Sequence, residues 1–328
     1  MRAIRYHAHG GPDRLRLEEA PAPCPGADEV LVRQAFSSVN PADWKFRAGW
    51  FREWVPQAFP FTPGADIAGT VVAAGPLAAG FTSGMHVAGM VPVQQGGAWA
   101  ELVAVKAHAL APLPDAISPM DAAGLPLAGL TAWTALFDLG ALQAGQAVLI
   151  HAAAGGVGSL AVQLAKIAGA QVIATCSATN RDRVAGLGAD RVIDYRASDF
   201  ADGLRDVDLV LDGVGGAVRH RSFPVLRPGG MLVTLDPTPP EPDAATRHGV
   251  RMTTAAVAPD GARLAHLAHL MAAGRLRVPV DRVFALEEAA AAHMLSETGH
   301  ARGKILVRMD RDKDGREGER RGAGLRPA

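Results

Sequence analysis

The chain has 328 residues, and its 33 Lys+Arg balance 33 Asp+Glu, which excludes a long-range field favouring nucleic acid or an anionic membrane. With 48% hydrophobic and 20% charged residues it has the composition of a soluble globule, and at about 150 residues per domain it predicts two domains. Two cysteines, Cys24 and Cys176, exclude a disulfide framework and a four-cysteine zinc site. In chain order, the opening MRAIRYHAHG has charge with no apolar run behind it and does not read as a signal peptide. No window of about 18 uncharged apolar residues predicts a membrane span. A cytoplasmic enzyme is the expected class.

The first 110 residues carry short β-like runs (EVLVRQAF, DIAGTVVAAG, MHVAGMV, AWAELVAV) separated by turn residues, which predicts a compact β-rich domain. Pro112, Pro114 and Pro119 punctuate a transition, and DAAGLPLAGLTAWTALFDLG then reads as helical with a break at Pro126. Next, strands and helices alternate: AVLI, GSLAVQLAKIAG, QVIAT, RDRVAGLG, RVID, DLVLDGV, GMLVTL. This alternation predicts a doubly wound parallel α/β sheet whose short apolar strands are buried on both faces. GMLVTL is expected as the last strand, with an exposed edge able to pair with a second copy in a homodimer. GARLAHLAHLMAAGRL is a helix; VDRVFAL and GKILVRM are strands around the helix EEAAAAHML, expected to return to the first domain. The expected division is 1–120 completed by 275–309, an inserted 121–274, and a charged tail at 310–328 expected to be disordered.

Between AVLI and its helix lies Ala153-Ala154-Gly155-Gly156-Val157-Gly158. Set against G-x-G-x-x-G, Ala153 takes the first place, Gly155 the second and Gly158 the third. Gly155 lets a pyrophosphate approach the backbone, Gly158 lets the helix pack on the strand, and the helix N-terminus offers N–H groups to phosphate. Ala154, Gly155, Gly156 and Val157 are therefore candidate cofactor contacts. An NAD site places Asp or Glu about 20 residues beyond the first glycine, at the end of the second strand. Here Thr175-Cys176-Ser177 stands in that place, followed by Asn180 and Arg181, with Arg183 close by. A hydroxyl, an amide and a guanidinium suit a 2′-phosphate that a carboxylate would repel, so the expected cofactor is NADPH. Gly213 and Val214, at the carboxyl end of DLVLDGV, sit where ligands bind in such sheets.

Two familiar ways of activating a hydride acceptor fail. Tyr-x-x-x-Lys is absent, since Gly10 and Asp199 stand four residues beyond Tyr6 and Tyr195. Neither cysteine has a zinc-ligand partner in sequence, and His266 and His269 lack a neighbouring Cys. Trp44, Trp50, Phe51 and Trp54 cluster in a chain that is 5% aromatic, and either wall a pocket for a flat acceptor or form a local core.

SSVNPADWKFRAG, FPFTPGADIAGTVVAAG, GAWAELVAV, LPLAGLTAWTAL, HAAAGGVG, LGADRVIDY and HARGKILVRM occur in that order. To about Met309 the chain resembles the medium-chain dehydrogenase/reductase superfamily, and within it the zinc-free quinone oxidoreductase branch. The resemblance implies a GroES-like β-rich domain plus a doubly wound Rossmann cofactor domain. It also implies no metal: zinc-bearing relatives carry Cys in the stretch matching SSVNPADW and Gly-His-Glu where this chain has Gly64-Ala65-Asp66. By resemblance, Asn40 and Asp43 lie beside the nicotinamide and the substrate, as catalytic candidates. Asn40 would bond the ribose or an acceptor carbonyl; Asp43 would orient Asn40 or Lys45, relay a proton, or simply cap a helix start. Thr131 matches a threonine near the nicotinamide, Tyr195 a position flanking the adenosine, and Lys304 a late Gly-Lys segment near the cofactor. The expected activity is NADPH-driven hydride transfer to a quinone or related conjugated carbonyl. Reduction of a 2-alkenal or enoyl C=C bond, or a non-catalytic NADPH-binding role, are the alternatives.

Overall fold

The computed structural model describes residues 1–239, 241 and 243–309, so the expected tail at 310–328 lies outside the described residues. A hairpin of β1 (Arg2–Arg5) and β2 (Arg16–Glu19) opens the chain, which the apolar-run criterion had missed because its strands are short and charged. β3 (Glu29–Val39) follows, alternating buried and less buried residues before its last three positions all become buried. α1 (Pro41–Ala48) starts with Pro at its first position, where no N–H is needed, and ends at Gly49, whose φ of 82° is the left-handed cap glycine supplies readily. β4 (Asp66–Ala74), β5 (His86–Met90), β6 (Leu102–Lys106) and β7 (Leu110–Pro112) complete the first half.

α2 (Pro119–Ala122) and α3 (Pro126–Trp133) divide the long helical segment at Pro126 as expected, and a π-helical turn at Thr134–Leu139 continues α3. Then come β8 (Ala147–Ile150), α4 (Gly156–Ile167), β9 (Gln171–Cys176), α5 (Arg181–Ala185), β10 (Arg191–Asp194), β11 (Val207–Asp212), α6 (Gly216–Ser222) and β12 (Leu226–Thr234). α7 (Ala244–Arg247), β13 (Arg251–Thr254), α8 (Gly261–Ala272), β14 (Val280–Ala285), α9 (Ala289–Glu297) and β15 (Lys304–Arg308) finish the described chain.

Six strands pair in the order β10-β9-β8-β11-β12-β13, every pair parallel. This is the doubly wound order, reversing between β8 and β11, and the carboxyl ends of those strands open the ligand crevice. Both faces are buried: Val148, Ile150, Val172 and Leu211 face one core, while Leu149, Ile173, Val210 and Leu232 face another. The expectation that GMLVTL forms the sheet edge is corrected here. That segment lies within β12, and β13 pairs along its outer side. The sequence RMTT escaped notice because an edge strand need not be apolar on both faces.

The second sheet runs β14-β15-β3-β4-β5-β7, with β6 also paired to β3. The late strands thus return to the first half, with β15 antiparallel to β3. The fold is a GroES-like β domain plus a Rossmann-type α/β domain. No helix among the described residues is long and apolar enough to cross a membrane.

Candidate active site

Two adjoining cavities of about 990 and 480 Å³ meet at His151, Ala152, Gly155, Gly299 and Ala301. Together they run across the carboxyl ends of the parallel strands toward β3, α1 and β15.

The glycine turn sits where they meet. A Cβ on Gly158 would lie 2.3 Å from the Ala152 carbonyl oxygen, so only glycine lets α4 pack this close. Gly155 has φ −81°, and a Cβ there would touch only that same oxygen, at 3.3 Å. Its lack of a side chain therefore leaves room on the cavity side for a ligand. Ala153 stays out of the left-handed region, as its place in the motif requires, while Ala152 carries φ 51°. The 12-residue α4 has no side-chain cap, so its first-turn N–H groups face the cleft, a ready site for a pyrophosphate.

The larger cavity is lined by Ala154, Ser177, Thr179, Asn180, Tyr195, Arg196, Val214, Arg221 and Arg302, among others. Asn180 donates its Nδ2 to Ser177 Oγ at 3.1 Å, and its buried Oδ1 has no partner among the described residues, leaving an acceptor for a ligand donor. Arg221 pairs with Asp199. Arg181, expected here from the sequence, is exposed and is not among the lining residues. Among the described residues, the guanidinium groups that line this cavity without a carboxylate partner belong to Arg196, which lies 5.7 Å from the Tyr195 ring, and to Arg302. His151, on the shared floor, receives or gives bonds to Thr175 Oγ1 (2.9 Å) and Ser222 Oγ (3.0 Å). Burial pushes its pKa down to about 4, with nearby Asp212 opposing, so it stays neutral. Asp212 accepts the Val214 and Gly215 N–H groups, both at 2.9 Å, and so shapes the loop carrying Gly213 and Val214.

The smaller cavity is walled by Val39, Asn40, Lys45, Phe51, Leu127, Thr131, Val157, Gly213, Leu235, Lys304 and Ile305, among others. Asn40 ends β3 and precedes α1. Its Nδ2 donates to Asp66 Oδ2 at 2.8 Å, and its Oδ1 accepts from Lys304 Nζ at 2.5 Å. Ser38 Oγ also donates to Asp66, and Lys304 Nζ lies 3.5 Å from that carboxylate. Lys304 is fully enclosed, and burial lowers its pKa although Asp66 and Asp43 oppose. Gly156 admits its stem: a Cβ there would lie 2.8 Å from Lys304 Cδ. Thr131 donates to the Leu127 carbonyl at 2.7 Å, the self-bonding expected of a helical threonine, while still lining the cavity.

Asp43 is buried but is not among the residues lining either cavity. Its Oδ2 accepts the Asn40 N–H at 2.7 Å, closing the first turn of α1. Burial raises its pKa to about 7, helped by Asp66 and opposed by the bonds from the Asn40 and Gly64 backbone and by Lys304. Of the aromatic cluster only Phe51 reaches the cavity. Trp44 packs edge-on against Trp50, with Lys45 Nζ 5.4–5.7 Å from both rings, and Trp50 and Trp54 are 59% and 73% exposed. Asp66 entered the sequence reading only as the residue standing at the Glu of the zinc-bearing relatives' Gly-His-Glu, and Arg196 and Arg302 had no place in it. A carboxylate heading the otherwise apolar strand DIAGTVVAA was the available signal for Asp66, and Arg196 directly follows Tyr195. Nothing local marked Arg302. Among the described residues no three His, Cys, Asp or Glu side chains converge as a metal site.

A glycine-turn crevice facing a second sheet that supplies Asn40 and Lys304 defines a dinucleotide-dependent oxidoreductase. Residues 26–115 match the family model of the alcohol dehydrogenase GroES-like domain, and residues 187–307 that of the zinc-binding dehydrogenases. The chloroplastic quinone oxidoreductase QR1 of Triphysaria versicolor is 36% identical over 322 residues, covering 94% of this chain and 98% of that protein. The 2-methylene-furan-3-one reductase of Solanum lycopersicum is 34% identical, over 94% of this chain and 79% of that one. The quinone oxidoreductase of Escherichia coli, solved in complex with NADPH, superposes with a TM-score of 0.86 at 28% identity, covering 94% and 100% of the two chains. The chain belongs to the medium-chain dehydrogenase/reductase superfamily, in its quinone oxidoreductase-like branch.

Proposed function

We propose that this enzyme uses NADPH to reduce a quinone or related conjugated carbonyl, without zinc. The observation that carries this reading is the wall of the smaller cavity. Val39, Phe51, Leu127, Leu235 and Ile305 give it an apolar surface beside the Asn40 amide. Where zinc-bearing relatives hold their ligands, Ser38 or Val39 stands in the Cys stretch and Ala65 at the His: Ser38 is bonded to Asp66, and Val39 and Ala65 are buried with no ligating atom. The chemistry NADPH supplies is hydride donation. Its phosphates fit the uncapped α4 N-terminus and the room left by Gly155; its adenosine end fits the larger cavity, between Tyr195 and Val214. For the 2′-phosphate we assign Ser177, Asn180, Arg196 and Arg302, the last two in place of Arg181.

A conjugated carbonyl is already electrophilic, so the protein's task is to hold it, exclude water and orient its reacting carbon. Asn40 offers the cavity its remaining N–H or lone pair, toward a ribose hydroxyl or the acceptor carbonyl. Phe51 supplies a flat apolar contact. The bonds of Asp43 support a capping role, with the proton for the reduced acceptor drawn from solvent. The tomato relative's name favours one second reading, reduction of an enone C=C bond. An acceptor screen decides: NADPH oxidation with 1,4-benzoquinone or 9,10-phenanthrenequinone and little with enals supports the first reading, and the reverse supports the second. Stoichiometric zinc by elemental analysis would overturn the zinc-free assignment. Removing Arg196 and Arg302 together should raise KM for NADPH by about tenfold or more while sparing NADH. An equal effect of Arg181→Ala would return the phosphate to the site first expected. We further propose a cytoplasmic homodimer, paired through the edge of β13 that no described strand covers, and the domain division 1–120 with 275–309 against 121–274.

A further inference from the structure

Asp66 is fully buried at the head of β4, and its two oxygens face four donors from three separate segments. Oδ2 accepts from Ser38 on β3 and from Asn40 Nδ2, and faces Lys304 Nζ on β15. Oδ1 accepts the backbone N–H of Leu127 at 2.7 Å. Leu127 belongs to the first turn of α3, whose own N-cap residue, Leu125, has no side-chain acceptor. The carboxylate thus caps α3 from the other sheet, and a negative charge is favoured at that helix end. α3 supplies Leu127, Ala128 and Thr131 to the smaller cavity; Asn40, at the end of β3, and Lys304, on β15, come to it from the second sheet.

We propose that Asp66 is a positioning residue that ties these two walls together and dictates which way the Asn40 amide faces, so that hydride transfer depends on it more than cofactor affinity does. A carboxylate only accepts hydrogen bonds and an ammonium only donates them. Held between Asp66 and Lys304, the amide must turn its nitrogen to the first and its oxygen to the second. A reversed amide would face each with a like partner and lose both bonds. The inference rests on the reading that Asn40 faces the nicotinamide or the acceptor.

Asp66→Asn keeps the size of the side chain but offers one acceptor oxygen to four donors. Its kcat with NADPH and quinone is expected to fall about tenfold or more, with the NADPH Kd from fluorescence titration within about threefold of wild type. Lys304 is faced by Asp66, Asp43 and Asn40, so losing one carboxylate should also move the alkaline limb of kcat to lower pH. Hydrogen exchange in the first turn of α3 should quicken about tenfold. A folded variant with kcat, pH profile and exchange like wild type overturns the proposal. Should Asp66→Asn fail to fold, Ser38→Ala decides, since it removes one donor and keeps the carboxylate. A loss of kcat of about threefold at unchanged Kd supports the role, and an unchanged kcat overturns it. A wild-type protein that turns over no acceptor would refute the functional reading instead, leaving exchange in α3 of Asp66→Asn, or of Ser38→Ala, to judge the clasp.

Discussion

Asp43 shows how one residue can satisfy a motif and yet serve structure. Buried under α1, it accepts the Asn40 N–H and holds its proton up to about pH 7, against an ordinary carboxylate value of 3.8. The folded state therefore binds a proton that the unfolded chain has already released. Stability supplied by the neutral acid is full below about pH 4 and is lost as pH rises toward 7. Asp43→Asn cannot ionise. Thermal melts at pH 5 and 8 should show wild type losing stability relative to the variant across that interval, by an amount on the order of 1–3 kcal/mol. A constant difference would mean that Asp43 is ionised throughout. Phe51 belongs to the same scale: Phe51→Ala should raise the acceptor KM by about tenfold and leave the NADPH KM unchanged, as expected for uniform acceptor binding.

α4 and its turn are the element to which the proposed function assigns the cofactor phosphates. Gly158 has no space for a methyl group, because the Ala152 carbonyl would lie 2.3 Å from it. Gly158→Ala should cost about 1–3 kcal/mol in stability, by overpacking, and weaken NADPH binding in a fluorescence titration. Full retention of both would mean that the turn shifts freely. β13 is the corresponding element for the proposed homodimer. Its residues Arg251–Thr254 leave one edge of the cofactor sheet unpaired within the described chain. Ala255 donates its N–H to Thr234 on β12, so Thr254 directs its own N–H outward, and Thr254→Pro should convert a dimer to a monomer in light scattering if that edge is the interface.

Across the whole molecule, two buried histidines set the acid limit. Burial lowers His151 to about 4 and His293 to about 3, the latter with help from Arg47. Both stay neutral in the fold while the unfolded chain takes up protons near 6.5, so stability present above that value is lost as pH falls toward 4. Asp43 works the other way over the same range, but one carboxyl opposes two imidazoles. The net slope should favour neutral pH, and replacing His293 with Gln should flatten it in denaturant titrations at pH 7 and 4.5.

Much of this protein was legible along the chain because the signals were local. A run such as AVLI, a glycine turn and an amphipathic helix each depend on near neighbours, so the doubly wound sheet and the Ala154–Val157 turn could be read directly. The absence of a carboxylate after β9 was equally local. Contacts between distant segments carried no such mark. Asp66 meets Leu127, Asn40 and Lys304 only because three strands and a helix converge there, and Arg302 joins Asn180 at one cavity from more than a hundred residues away. The aromatic cluster divided, with Phe51 turned inward and Trp50 and Trp54 outward, because the path of the loop after α1, not the composition of the cluster, sets which ring meets the cavity. Residue types and spacing determined the cofactor fold and the chemistry of its turn; the convergence of segments far apart in sequence decided which side chains line the two cavities.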